Sequence, residues 1–379
     1  MNKRIKVVID DDIPFIKGVL EPYASVVYYK GKNIGQDEVR DADALIVRTR
    51  TRCDASLLNG SKVRFIASAT IGSDHIDLDY CRRNSITYTN SAGCNAWGVV
   101  QYVITAIFTV AHEKRLPVVG KTIGIIGAGN VGERLARTVD KLGFKVLRCD
   151  PPVKKRIENG EELTTEGRFS VDRSQLTTAD FFDLSYVLEN ADIISLHVPL
   201  DNSTKGFFNE EVFRAIKEKA VFINSSRGEV VDEQSLIDSK GKLSAIITDV
   251  WSNEPNINLE LMDVSDIATP HIAGYSLEGK INATVLVINA FASFFCLEGL
   301  SGFTIDYPLP EPVTATINKA ETFESNMRLF LNESFPLLEE DKKLRASPLD
   351  FEQIRSTYTY RREIPQELFR IFETIKPKI

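Results

Sequence analysis

The sequence predicts an α/β protein: two doubly wound parallel-sheet lobes with a cleft between them, followed by a small C-terminal α/β domain. Three observations predict it. Short apolar runs alternate with helical segments through about residue 300, the rhythm of parallel sheets covered by helices. One strand–helix–strand unit, Lys121 to Asp150, carries a glycine-rich turn. After about residue 300 the composition changes, and Pro308, Pro310 and Pro312 mark a linker into a tail without such a turn.

In the first lobe the strand candidates are Ile5–Ile9, Val26–Tyr29, Ala44–Val47, Arg64–Ala67 and Ile86–Tyr88, with helical segments near Pro14–Leu20, Ala55–Leu58 and Ile76–Arg83. A long apolar helix, about Asn95 to Glu113, leads into the glycine-rich unit. There Thr122–Ile126 reads as a buried parallel strand. Gly127, Gly129 and Gly132 follow at G-x-G-x-x-G spacing. The first glycine allows a tight turn, the second lets backbone approach a pyrophosphate, and the third lets the helix pack on the strand. A helix N-terminus behind such a turn attracts phosphate through free N–H groups and its dipole. A second strand, Phe144–Leu147, leads to Asp150, where the fingerprint places a carboxylate for the ribose hydroxyls. The unit therefore predicts a Rossmann-like dinucleotide site. Asp150 would repel a 2′-phosphate and no Arg directly follows it, which favours NAD over NADP.

Beyond Pro151-Pro152, the polar segment from about Lys154 to Asp180 reads as loop and receives no function. Strands resume at Asp192–Leu196, Ala220–Asn224, Leu243–Thr248 and Ile267-Ala268, with helices at Glu210–Ile216 and Glu233–Asp238. A long helix from about Ser276 to Leu297 returns the chain to the first lobe. The predicted domains are a substrate lobe (1–95 and 276–300), a dinucleotide-binding domain with its linking helix (96–275), and a C-terminal domain (301–379) whose expected role is oligomerisation. In that tail Glu321–Leu331 and Gln366–Ile375 look amphipathic.

Composition sets limits. Hydrophobic content of 43% and charged content of 26% over 379 residues are those of an ordinary globular protein. A net charge of −7 argues against general nucleic-acid or anionic-membrane binding. No stretch approaches the length of a membrane span. MNKRIKVVID runs straight into a strand without a signal core, and five cysteines without paired spacing suit a reducing compartment, so a cytoplasmic protein is expected. Cysteines and histidines form no metal-ligand pattern, and no metal is expected.

Three charged residues lie at or just after successive strand ends: Arg227 in Asn224-Ser225-Ser226-Arg227-Gly228, Glu254 after Asp249-Val250-Trp251, and His271 in Thr269-Pro270-His271-Ile272-Ala273-Gly274-Tyr275. Removing hydride from an alcohol carbon requires a base for the hydroxyl proton, and histidine serves near neutral pH. A carboxylate on the far ring nitrogen orients the imidazole. An arginine forks onto an α-carboxylate. Singly, each of the three has a bland reading, a loop histidine or a surface charge; together in a dinucleotide fold they read as catalytic. Arg48, Arg50 and Arg52 alternate, and a strand would set them on one face, as a phosphate patch or as a solvated strand end. His75 reads as structural. Tyr360, Arg361 and Arg362 are candidates for reaching a partner's active site.

The stretches ALIVRTRT (44–51), ATIGSDHID (69–77), GCNAWGVVQYV (93–103), CDPP (149–152) and TPHIAGYSLEGK (269–280) carry a resemblance. Across about residues 1–300 the chain resembles the D-isomer-specific 2-hydroxyacid dehydrogenases. The resemblance implies an NAD-dependent oxidation of a small phosphorylated 2-hydroxy acid, with Arg227, Glu254 and His271 catalytic and His271 donating or accepting the proton. It implies NAD contacts at Asp150, Val198, Ser225, Ser226, Arg227, Asp249 and Gly274, beside the turn residues Gly127, Gly129, Asn130, Val131 and Gly132. Val198 stands where a threonine is common, so only its backbone offers a polar contact. Thr49, Thr70 and Tyr275 match substrate-binding positions, and the tail matches a dimerisation domain, implying a homodimer. Two alternatives stay open: a relative acting on another 2-hydroxy acid, and a non-enzymatic NAD-sensing protein of the same fold.

Overall fold

In the computed structural model, residues 4–163, 169–308, 317–318 and 320–375 are described. Pro310, Pro312 and residues 164–168 of the polar segment lie outside them. The chain divides into two compact units. The first runs to Asn95, includes residues 169–170, and resumes from Glu278 to Pro308; the second takes the rest of the chain between Ala96 and Leu277 together with the tail helices.

The first unit holds β1 (Ile5–Asp10), β2 (Ala24–Tyr29), β3 (Ala44–Val47), β4 (Phe65–Ser68) and β5 (Thr87–Asn90), all parallel in the order β2-β1-β3-β4-β5. β3 and β4 are buried along their whole length, as strands covered on both faces must be. The helix Leu277–Phe294 covers one face, where Phe291 and Phe294 meet Phe65. Chain order reverses between β1 and β3, so this sheet has its own switch point.

The second unit holds β6 (Thr122–Ile126), β7 (Lys145–Cys149), β8 (Ile193–Leu196), β9 (Val221–Asn224), β10 (Ala245–Thr248) and β11 (Ile267–Ala268). All pair in parallel, in the order β11-β10-β9-β8-β6-β7. The switch point lies between β6 and β8, the place where open sheets of this kind take ligands. The helix Ala96–Lys114 is buried from Ala96 to Ala111 except Trp97, and packs on this sheet. Burying each large side chain of such a helix contributes about 1.5–3 kcal/mol.

Three expectations are corrected. Pro14–Leu20 forms turns instead of a helix, because Phe15 (φ 62°) and Gly18 (φ 84°) take left-handed backbone. The polar segment is not all loop: Pro151–Glu158 is a helix. Pro151 and Pro152 occupy its first positions, where a missing N–H costs nothing, and Asp150 caps it through Val153 N at 3.0 Å. The tail, expected as α/β, is helical among its described residues: Phe323–Ser334, Leu337–Ala346, Phe351–Ser356 and Pro365–Ile375.

These tail helices pack within the second unit. Phe323–Ser334 lies along Ala96–Lys114, with His112 Nδ1 3.0 Å from Ser325 Oγ, and Glu324 accepting from Val118 N at 3.1 Å. Asp341 accepts from Ala268 N at 2.7 Å, and Arg345 donates to Met262 O and Ser265 O, each at 2.8 Å. The tail thus covers β11, the edge strand, whose backbone groups are otherwise a template for unwanted pairing.

Candidate active site

The three glycines after β6 differ in what they permit. Gly127 has φ +95°, and a Cβ there would stand 2.8 Å from His197 backbone. A Cβ on Gly132 would fall 1.8 Å from Gly127 O, so this glycine closes the helix onto the turn. A Cβ on Gly129 would meet no protein atom within 4 Å. Space is therefore kept over Gly129, and the helix Gly132–Lys141 begins behind Val131, which supplies no side-chain cap. Glu133 N in the first turn donates to Gly129 O at 3.0 Å, and a helix N-terminus beside open space suits a pyrophosphate.

Asp150 is held by two bonds, from Ala128 N to Oδ2 at 2.7 Å and from Val153 N to Oδ1 at 3.0 Å. Each carboxylate oxygen keeps a lone pair for a ribose hydroxyl. Arg148, the nearest arginine in sequence, is held by Glu133 at 2.7 Å. Asn130 Oδ1 accepts from Val171 N at 3.1 Å, so its side chain serves the chain itself. Val198 follows β8, and its side chain lies beside the Gly127 turn. His197 beside it is neutral, since burial pushes its pKa down to about 3, and its ring bonds Ser195 Oγ at 2.9 Å.

At the end of β9 the Ser225 hydroxyl is buried without a hydrogen-bond partner among the described residues. Such an orphan fits a ligand group. Ser226 N and Oγ both bond Asn224 Oδ1, at 3.1 and 2.9 Å. Arg227 is half-buried, with Nη1 on Ser226 O at 2.8 Å. Gly228 presses on the next strand end, where a Cβ would lie 1.9 Å from Trp251 C.

Asp249, fully buried at the end of β10, organises the His271 loop. Its Oδ1 accepts from Thr269 Oγ1 (2.7 Å) and Ile272 N (2.8 Å), its Oδ2 from Ala273 N (2.9 Å), and its backbone O from His271 N (2.7 Å). Burial pushes its carboxyl up, against these bonds and the nearby His271. His271 itself has left-handed backbone, φ 57°, which a non-glycine residue keeps only when its surroundings hold it. Its Nδ1 lies 2.8 and 3.0 Å from the two oxygens of Glu254. A carboxylate at Nδ1 keeps the proton there and leaves Nε2 as the exchanging nitrogen. Burial alone would raise Glu254; His271 beside it and Arg355 hold it below the usual glutamate range. Glu254 Oε1 also accepts from Trp251 N at 3.0 Å.

Tyr275 closes the loop, edge-on to Tyr358 and Tyr360 at centroid distances of 6.1 and 6.2 Å. Gly274, which directly precedes Tyr275, is half-buried. In the first unit, Thr49 is exposed in the turn after β3, and Thr70 Oγ1 lies 2.8 Å from Ser68 Oγ after β4. β3 ends at Val47, so Arg48, Arg50 and Arg52 do not share a strand face. Arg48 pairs with Asp10 at 3.1 Å and Asp12 at 3.0 Å, and Arg52 with Asp54 at 2.9 Å. His75 is buried and its Nε2 lies 3.0 Å from Ser68 Oγ.

Sequence reasoning missed Arg355, whose Nη1 lies 3.7 Å from Glu254 Oε2 across a separation no local pattern spans. It also looked for Arg361 at a partner's site. The Arg361 guanidinium is instead buried in its own chain, against the carbonyls of Ile272, Ala273 and Tyr275. Among the described residues no helix is long and apolar enough to cross a membrane, and no acidic, histidine or cysteine cluster could hold a metal ion.

Residues 108–273 match the family described as D-isomer specific 2-hydroxyacid dehydrogenase, NAD binding domain. The chain is 41% identical to the erythronate-4-phosphate dehydrogenase of Bacteroides fragilis over 368 residues, 95% of this chain and 97% of that one. It is 32% identical to that of Escherichia coli over 95% of this chain and 92% of that one. The chain belongs to the erythronate-4-phosphate dehydrogenase family. Among solved structures, an NAD⁺-bound 3-phosphoglycerate dehydrogenase from Entamoeba histolytica is similar at a TM-score of 0.63 and 26% identity, covering 81% of this chain and all of that one. A D-lactate dehydrogenase from Aquifex aeolicus shares the fold, at 0.61 and 23% identity, over 77% of this chain and 95% of that one. As a member of this family the chain is an NAD-dependent dehydrogenase acting on a CH–OH group.

Proposed function

We propose that the protein oxidises 4-phospho-D-erythronate at C2 to (R)-3-hydroxy-2-oxo-4-phosphooxybutanoate, in pyridoxal 5′-phosphate biosynthesis. The observation that carries the reading is the His271–Glu254 pair in a chain whose full-length relatives bear that enzyme's name. NAD, when bound, accepts the hydride that leaves C2. Gly127, Gly129, Asn130, Val131 and Gly132 form its pyrophosphate turn, Asp150 takes the adenosine ribose, and Val198, Ser225, Ser226, Asp249 and Gly274 complete the cofactor side.

His271 takes the hydroxyl proton at Nε2 as the C2–H bond breaks. Glu254 orients the ring and stabilises the imidazolium that results. Arg227 grips the substrate carboxylate and polarises the forming carbonyl. Tyr275, with Thr49 and Thr70 at the ends of β3 and β4, is assigned to substrate binding. Residues 1–95 with 276–300 are the substrate lobe in this reading, and 96–275 the NAD-binding domain.

Substrate-dependent nicotinamide reduction, followed in single turnovers, tests the assignment. 4-Phosphoerythronate should react at least about tenfold faster than 3-phosphoglycerate or glycerate, a difference of about 1.4 kcal/mol in barrier. Preference for 3-phosphoglycerate would keep the mechanism and overturn the substrate.

The protein is further proposed to be a cytoplasmic homodimer joined through residues 301–379. Leu329 and Leu349, 43% and 93% exposed on the tail, support a covering partner there. Sedimentation should give twice the chain mass, and a monomer at micromolar concentration would overturn it.

A further inference from the structure

We propose that the C-terminal tail completes the acid–base pair within its own chain: Arg361 holds the loop that carries His271, and Arg355 sets the charge balance on Glu254. This rests on the reading of His271 as the proton-transfer group.

The His271 loop is held from two sides. Asp249 takes its N–H groups, at Ile272 and Ala273. Arg361 takes the carbonyls of the same residues, adding to the bond that Ile272 O already accepts from Tyr275 N at 2.9 Å. Its Nη1 donates to Ile272 O at 3.0 Å and Tyr275 O at 3.3 Å, and its Nη2 to Ala273 O and, at 2.8 Å, to Gly98 O. The guanidinium plane lies over Phe335, 4.2 Å from the ring centroid. A planar fork of five donors suits several carbonyls at once; a lysine ammonium does not reproduce it. The backbone around Arg361 continues the support: Leu277 N donates to Arg361 O at 2.9 Å, and Ser276 Oγ to Glu363 at 2.6 Å. The tail backbone at Arg361 thus makes an isolated parallel bridge with Ser276, at the end of the loop that leads into helix Leu277–Phe294. A residue at φ 57° needs such enclosure on both sides to keep its ring aimed.

Arg355 approaches from the neighbouring tail helix, Phe351–Ser356. Its Nη1 stands 3.7 Å from Glu254 Oε2, too far for a good hydrogen bond and close enough for charge to act. Its guanidinium also lies over Tyr275, 5.6 Å from the centroid, which fixes it there. Among the described residues, the charged and titratable groups set against the pair and its loop include Asp249 from the end of β10 and Arg355, Tyr358 and Arg361 from the tail, with Glu340 acting on Tyr358. Burial pushes the Tyr358 phenol up, so it stays neutral. Arg355 is the group that offsets Glu254 from the far side. Removing its charge leaves the Glu254 carboxylate unopposed beside the His271 ring, which favours a positive charge there.

The test is the pH profile of kcat/KM for oxidation, measured on the full-length chain. In this direction His271 must be neutral, so its pKa sets the acid limb. Arg355→Gln should move that limb upward by about half a pH unit, a small value because the pair is partly exposed. An acid limb at the wild-type position, or a loss equal at every pH, would overturn the role of Arg355. Arg361→Lys keeps the charge and loses the fork; kcat should fall about tenfold with the NADH Kd within about twofold. Wild-type kcat in a folded Arg361→Lys protein would overturn the clamp. Failure of the underlying reading looks different: His271→Ala would then keep its turnover. A dead His271→Ala beside an unmoved limb in Arg355→Gln rejects the tail's role alone.

Discussion

Replacing His271 with alanine is expected to lower turnover by about 10²–10⁴-fold, the range that a positioned acid or base contributes. NADH should still bind with nearly wild-type affinity. The ring lies beyond the cofactor turn in sequence and bonds Glu254, while the loop's backbone is held by Asp249 and Arg361. Removing the imidazole therefore leaves the loop's supports in place. It also leaves Glu254 next to Arg355 with its other partners intact, so the carboxylate does not become an unpaired buried charge. Alanine at a left-handed position costs of order 1 kcal/mol, too little to unfold the chain. Stopped-flow reduction of nicotinamide, paired with NADH fluorescence titration, separates the two effects. Turnover within tenfold of wild type would remove His271 from the mechanism.

The glycine turn gives the second large effect, and it divides sharply between two residues three positions apart. Gly132→Ala places a Cβ 1.8 Å from Gly127 O, a backbone atom that cannot swing aside. The helix must shift off the turn. Overpacking of this kind costs roughly 1–3 kcal/mol or more, and the melting temperature should fall by about 5–10 °C with NADH binding lost. Gly129→Ala meets no protein atom within 4 Å, so the melting temperature of the free protein should stay within about 1–2 °C. The added methyl instead occupies the space kept for the pyrophosphate, and NADH affinity should fall by at least about tenfold. Thermal melts with and without NADH check both variants. A Gly129→Ala protein that bound NADH normally would show that the open space serves some other purpose.

How far the residues announce the structure depends on range. β3 is legible to the residue because Ala44–Val47 is an unbroken apolar run buried on both faces. The glycine turn is legible because each glycine answers a separate steric demand of one local unit. Pro14–Leu20 misleads because its apolar spacing suits a helix while left-handed Phe15 and Gly18 break it, and nothing in a phenylalanine announces a positive φ. The polar segment after Pro151-Pro152 reads as loop, yet behind the Asp150 cap that pair starts a helix. The pairing of His271 with Glu254 was readable because both residues stand near successive strand ends, where the fold brings loops together. Arg355 and Arg361 were not. Arg361 alone reaches partners 86 to 263 residues away in sequence, and both arginines depend on tail helices whose docking rests on packing against Ala96–Lys114 and β11. Periodicity describes a helix's own faces and carries no address for where those faces settle.

The central claim, hydride removal from C2 of 4-phosphoerythronate to NAD, is tested most directly with substrate deuterated at C2. Incubated with the protein and NAD⁺, it should give reduced nicotinamide carrying one deuterium, formed more slowly than with the protiated substrate in the chemical step. Reduced nicotinamide without the label, or no reduction at all by a protein that binds NAD⁺, would contradict the account.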